Sequence, residues 1–203
     1  YDPTEGVVLL NGENIDGFTL TSYRELFGAV FQDYQLFAAS IAENVVTGTY
    51  TDDKRERVIQ ALTDSGFAEK LESLPLGIGT SLTKEFDPDG IQLSGGEAQK
   101  IAIARIFTKP CDVVILDEPS SALDPSSEYE LNRMMMSAAF DKTVIFISHR
   151  LSTTRMADVI YMLESGTIIE QGSHEELMTL DGKYAEMFRM QAEKYNCKEE
   201  VGI

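Results

Sequence analysis

Val113-Val114-Ile115-Leu116-Asp117-Glu118 sets four apolar residues in front of two carboxylates. An aliphatic run without polar alternation suits a strand covered on both faces, as in a parallel sheet between helical layers. Val144–Ile147 is a second such run, and the stretch from Ser127 to about Phe140 between them has a helical pattern. That alternation predicts a crossover between two central, parallel strands. Upstream, Gly28–Gln32 reads as another strand, and Val7–Leu10 as a short one turned by Asn11-Gly12, a strong hairpin signal. Residues 40–73 turn helical, with Gly66 as a helix stop, and 74–92 form a Gly/Pro/Asp-bearing connection. A helix is expected from Ser94 to about Thr108, with Pro110 beyond it. Downstream, Val159–Leu163 and Thr167–Ile169 flank Glu164-Ser165-Gly166 as an antiparallel hairpin, and helices are expected over 174–179 and 183–194. The fold class is α/β with a helical insertion at 34–109.

Composition narrows the function. The chain has 203 residues, 43% hydrophobic and 25% charged, with a formal net charge of −17. This is ordinary globular composition, long enough for a core without staples. The acidic excess argues against non-specific nucleic-acid binding and against docking on an anionic membrane surface. Cys111 and Cys197 lie far apart and match no disulfide framework or metal spacing, which suits a reducing compartment. No apolar run approaches the roughly 18 residues of a membrane helix.

Several residues carry possible chemistry. Asp117, at a strand's carboxyl end, is placed to hold a hydrated Mg²⁺, and Glu118 to take a proton from an attacking water. A buried strand ending in a polar turn explains the same residues. Leu93-Ser94-Gly95-Gly96-Glu97 reads as a capping box, with Ser94 as N-cap and Glu97 three residues on. It equally bares backbone N–H groups for an anion, and the paired glycines, costly in a helix, favour that reading. His149 follows an apolar run and is structural or catalytic; His174 reads as a surface residue. Gln32 ends a strand and either reaches a metal or a water, or is structural. Ser121–Pro125 reads as a turn, and Met134–Met136 as partly core.

Gln32, Leu93–Glu97, Val113–Glu118, Ser121–Asp124 and His149 occur in that order. The ordered set strongly resembles the ATP-binding-cassette (ABC) ATPases: a Q-loop, the signature motif, Walker B with its catalytic Glu, a D-loop and an H-loop. Val30-Phe31-Gln32-Asp33, Ser40-Ile41-Ala42-Glu43-Asn44, Ser148–Ser152 and Gly172–Leu177 resemble the exporter branch, in wording found in bacterial multidrug- and peptide-type exporters. The resemblance implies a P-loop NTPase of the ABC type, a RecA-like core over 1–33 and 110–203, and a helical subdomain with the signature over 34–109. It further implies ATP and Mg²⁺, a second ATPase domain, identical or not, and a transmembrane domain in the same polypeptide. The location implied is the cytoplasmic face of the cell membrane.

Residue by residue, the resemblance implies that Glu118 polarises the attacking water and His149 contacts the γ-phosphate. Asp117 would hold Mg²⁺ through water, and Gln32 would sense the metal and relay to the membrane domain. Ser94, Gly95 and Gly96, with Glu97 where many members have Gln, would bind the γ-phosphate on the partner subunit. Asp124 would pair across the dimer. No G-x-x-x-x-G-K-[ST] occurs in the sequence, and Tyr1–Gly6 resembles the stretch just after the P-loop helix. The expectation is a segment cut after its Walker A and N-terminal strands, holding MgATP weakly by itself and leaving an apolar groove or unpaired edge beside Val113–Leu116. The runner-up is a degenerate or partner-dependent cassette that binds without hydrolysing. A chromosome-maintenance or DNA-repair ATPase would need a long coiled coil between Gln32 and Ser94, and no heptad run stands there. An importer-type ATPase subunit fits the exporter-like wording less well.

Overall fold

The computed structural model describes residues 2–118, 133 and 142–199. The chain forms two compact units, residues 1–147 and 148–203. The turn expected at 121–125, with Asp124, lies outside the described residues. So does the helix expected over 127–140, with Met134–Met136, apart from the helical Arg133.

In the first unit, β1 (Leu9–Leu10) and β2 (Glu13–Asn14) pair antiparallel through Asn11 and Gly12, both left-handed at φ 51° and 85°. Two consecutive positive φ values are what a two-residue hairpin loop needs, and Asn-Gly supplies them. Then come α1 (Leu20–Glu25) and β3 (Phe27–Val30), followed by α2 (Ile41–Val46), α3 (Arg55–Asp64) and α4 (Ala68–Glu72). The helical pattern over 40–73 is thus three helices. Thr47, at φ 51°, ends α2, and Gly66, at φ 73°, follows α3. α5 (Gly95–Thr108) leads into β4 (Val113–Asp117), and β5 (Thr143–Ile147) ends the unit.

β3, β4 and β5 form a parallel sheet in that order, with Val30 opposite Leu116 and Asp117 opposite Ile147. β4 is central and paired on both sides, so no unpaired edge lies beside Val113–Leu116, contrary to the expectation from the sequence. β5, also read as central, ends the strand order among the described residues. Val144 and Phe146 pack on the core, while Ile145 and Ile147 are 47% and 49% exposed. An apolar run reports that a strand is fit for cover on both faces; it does not report which neighbour flanks it.

α5 joins two cores. Ile101 and Ala104 pack with Ile41, Val45, Val58, Leu62 and Phe67, all almost completely buried. Ala102, Ile103 and Ile106 pack with Val30, Val114 and Leu116 of the sheet. A helix apolar nearly all round must be enclosed, and each fully buried aliphatic or Phe side chain contributes about 1.5–3 kcal/mol. The middle and C-terminal half of α5 are therefore held from both sides.

The second unit holds α6 (Leu151–Thr154), the hairpin β6 (Ile160–Glu164) and β7 (Thr167–Gly172), α7 (His174–Leu180) and α8 (Lys183–Glu199). The Glu170 carboxylate accepts from the Lys183 and Tyr184 N–H groups and caps the start of α8. His174 is not simply a surface residue. Its Nδ1 lies 2.9 Å from the hydroxyl of fully buried Tyr184, and its ring contacts Phe188. The first turn of a helix looked exposed in sequence because the aromatic partners stand on the next helix. Among the described residues, no helix is long and apolar enough to cross a membrane.

Three capping boxes start helices: Ser40/Glu43 on α2, Ser94/Glu97 on α5 and Ser173/Glu176 on α7. The Ser hydroxyl holds Glu43 below the ordinary carboxylate range, while the Ser backbone N–H is the main cause for Glu97 and Glu176. A carboxyl lowered in the folded state adds stability above its unfolded pKa, about 4.3 for Glu, and loses it as pH falls through the lower folded value. Acidification below about pH 4 is expected to fray the first turns of α2, α5 and α7 together, seen as faster amide exchange after correction for intrinsic rates. Unchanged protection at those turns would contradict this.

Candidate functional site

The parallel register sets the level of the candidate carboxylates. Val30 and Leu116 are paired, so Gln32 and Glu118 each follow that pair by two residues, Gln32 in a turn past the end of β3 and Glu118 just past β4; the strand read over Gly28–Gln32 thus ends at Val30. Asp117 is the last residue of β4 and half-buried; Gln32 is exposed. The carboxyl ends of strands in an open α/β sheet are where ligands bind.

Glu118 adopts φ +46°, the left-handed region, and its N–H donates to the Ile147 carbonyl at 2.9 Å. A non-glycine residue held there costs about 1–3 kcal/mol and persists where the surroundings over-determine it. Here the hydrogen bond to β5 extends the parallel ladder one residue past Asp117 and holds the Glu118 backbone at the strand end. His149 follows β5 by two residues in the chain and belongs to the second unit, where its carbonyl accepts from Gln191 Nε2 at 2.7 Å.

At the start of α5, the Ser94 hydroxyl accepts from the Glu97 N–H at 3.3 Å and lies 3.0 Å from Glu97 Oε2. The Ser94 N–H donates to the same oxygen at 2.8 Å, and Lys70 Nζ of α4 stands 2.9 Å from Glu97 Oε1. A side chain at Gly95 would meet nothing within 4 Å. Packing therefore does not require glycine at Gly95, a residue costing about 1 kcal/mol in a helix. Its absent side chain leaves the first-turn N–H groups, which have no intrahelical acceptor, open to an approaching anion.

Two side chains tie α5 to the segment after Gln32, one of them at the helix start. The Tyr34 hydroxyl donates to the Gly95 carbonyl at 2.8 Å. Arg105, farther along α5, donates to the Gln35 carbonyl at 2.8 Å and to the Asn44 carbonyl at 3.0 Å. Asn44 is fully buried; its Oδ1 accepts from the Phe37 N–H at 2.8 Å and its Nδ2 donates to the Phe37 carbonyl at 3.0 Å. The register thus sets Gln32, Asp117 and Glu118 at one sheet end, and contacts join the Gln32 segment to Ser94–Glu97. Sequence reasoning missed Tyr34, Lys70 and Arg105, which have no motif at fixed spacing. Asn44 was visible only as part of Ser40–Asn44, and nothing in the spacing showed that its amide is spent inside the chain.

The donor set of one strand-end carboxylate and one amide fits Mg²⁺, which keeps several waters and takes phosphate oxygens. No group of three or more His, Cys, Asp or Glu is arranged as a metal cage among the described residues.

A family model described as ABC transporter matches residues 1–121. The ATP-dependent lipid A-core flippase of Cupriavidus metallidurans is 40% identical over 193 residues, 94% of this chain and 32% of that protein. The ABC multidrug transporter MDR5 of Trichophyton rubrum is 38% identical over 192 residues, 95% of this chain and 15% of that protein. A solved bacterial Atm1-family ABC exporter with ATP bound matches with a TM-score of 0.84 at 39% identity, covering 95% of this chain and 33% of its own. The chain spans about a third or less of the length of these relatives.

The connection before Ser94 is tightly closed: a methyl at Gly90 would fall 1.8 Å from the Thr83 carbonyl oxygen. Backbone cannot yield as a flexible side chain does. Gly90→Ala is expected to cost about 1–3 kcal/mol, measured by urea denaturation. A wild-type midpoint would show that the loop absorbs the methyl.

Proposed function

This chain belongs to the ABC transporter family, and on that premise we propose that it is nucleotide-binding machinery of an exporter. It would couple ATP binding and hydrolysis to movement of a substrate across a membrane. The observation that carries the reading is Glu118, which stands in the left-handed region directly after the Asp117 strand end with its N–H bonded to the Ile147 carbonyl. Backbone strain of this kind clusters at functional sites, and a carboxylate at a ligand-binding sheet end is placed to serve as a base.

In this mechanism the Glu118 carboxylate accepts a hydrogen bond from the attacking water and takes its proton as the new bond from water oxygen to the γ-phosphorus forms, while the bond from that phosphorus to the bridging oxygen breaks and ADP leaves. His149 contacts the γ-phosphate and holds it in line for that attack. Ser94 and the N–H groups of Gly95 and Gly96, with Glu97 closing the helix cap, receive the γ-phosphate of a nucleotide held by the partner domain. Asp124 pairs across the same interface. Asp117, through water, would hold Mg²⁺ and Gln32 would sense it, and the ion when bound would neutralise charge on the phosphates. Phosphoryl transfer rests mainly on positioning and electrostatics, so a site divided between two domains makes their closure a condition for reaction.

The partners are a second ATPase domain and a transmembrane domain in the same polypeptide, and the place is the cytoplasmic face of the cell membrane. The core sheet would be formed by 1–33 and 110–203, with 34–109 as the helical subdomain. The flippase and multidrug names of the relatives support export. They leave the cargo class with the membrane-spanning part.

The competing reading is a cassette that binds without hydrolysing. Glu118→Gln in the full-length protein that carries this sequence separates the two. A drop in ATPase rate of about 100-fold or more, with nucleotide binding retained, is expected. A rate within about twofold of wild type would favour the non-hydrolysing module.

A further inference from the structure

We propose that Lys70 is a positioning residue for phosphate recognition, screening the Glu97 carboxylate so that Ser94, Gly95 and Gly96 can receive a terminal phosphate. The inference rests on the reading of that helix start as a γ-phosphate site. It concerns a residue outside the motif, brought by α4 to the edge of it.

Glu97 serves the fold and opposes the ligand. As the third residue of α5 its carboxylate closes the capping box, which favours the helix dipole. The same negative charge sits within one turn of the N–H groups offered to an anion. It also occupies Ser94, whose N–H and hydroxyl both lie within 3.0 Å of Oε2. A hydroxyl has one proton, and while Glu97 Oε2 accepts it, a phosphate oxygen does not.

Lys70 answers both problems through the other carboxylate oxygen. Its ammonium lies 2.9 Å from Glu97 Oε1, on the side not used by Ser94. Pairing there neutralises the net charge facing the phosphate and weakens Oε2 as a competing acceptor, so the Ser94 hydroxyl can turn outward at lower cost. Lys70 is fixed from behind by its own short helix: Phe67, at the start of α4, is fully buried, and Leu71 packs on the helical core. Both side chains of the pair remain partly exposed, so the bond adds little to fold stability. Its effect falls on a polyanion arriving at the same helix end.

The test is a double-mutant cycle in the full-length protein that carries this sequence, read as MgATP hydrolysis. Lys70→Met is expected to raise KM for MgATP about three- to tenfold, with kcat changed less than about twofold. Lys70→Arg should restore the wild-type KM. With Glu97→Gln as the starting protein, adding Lys70→Met should shift KM by less than about twofold, because no carboxylate is left to screen. A purely structural role for α4 would give equal losses in both backgrounds and no rescue by Arg. That result, or a wild-type KM in Lys70→Met, overturns the inference. A wild-type protein that does not hydrolyse MgATP removes the parent reading and this inference with it. An active wild type indifferent to Lys70 removes the inference alone.

Discussion

The buried amide of Asn44 and the guanidinium of Arg105 form the junction around which the described part of the first unit is organised. Asn44 bonds the Phe37 amide and carbonyl with its side chain, so the chain leaving β3 is folded back onto the start of α2. Arg105 bonds the Asn44 carbonyl, the Asn44 Oδ1 and the Gln35 carbonyl, and its guanidinium lies 5.4 Å from the Phe37 ring centre. Asn44 Oδ1 and Nδ2 and Arg105 Nε and Nη2 all have partners, which is the condition for keeping such groups out of water without a large penalty. Burial lowers the pKa of Arg105, yet the residue remains a cation at any physiological pH.

One consequence is a mechanical link. α5 carries Ser94–Glu97 at one end and Arg105 near the other, and its interior residues lock it between the helical core and the sheet. The segment that begins with Gln32 is fastened to the same helix at Tyr34 and Gln35. Hydrogen bonds of the isolated bridge Ser40–Ser81 region, from Ile41 to Thr80 and from Leu82 to Ala39, attach the loop before the signature as well. A rigid α5 thus carries a phosphate-facing end and the Gln32 segment as one body.

Much of this was legible in the sequence, for identifiable reasons. Strand runs, the Asn-Gly and Ser-Gly turns and the Ser94–Glu97 cap are local signals, and the structure places them where their chemistry predicts. The ordered motifs identified an ABC-type fold, and that fold is the one found. Lateral strand order was not legible, because β3, β4 and β5 are all apolar enough to sit beside one another. His174 was misjudged, and Lys70 was invisible, because their partners Tyr184 and Glu97 come from separate helices. Side-chain contacts between elements leave no periodic trace. The left-handed Glu118 was equally hidden: no sequence rule assigns positive φ to glutamate.

Amide hydrogen exchange in the full-length protein, with and without MgATP, examines the single-body behaviour of α5 most directly. Residues 33–39 and 94–98 should gain protection together on nucleotide addition, and Arg105→Lys should separate the two responses. Protection at 94–98 with none at 33–39 in the wild type would contradict it.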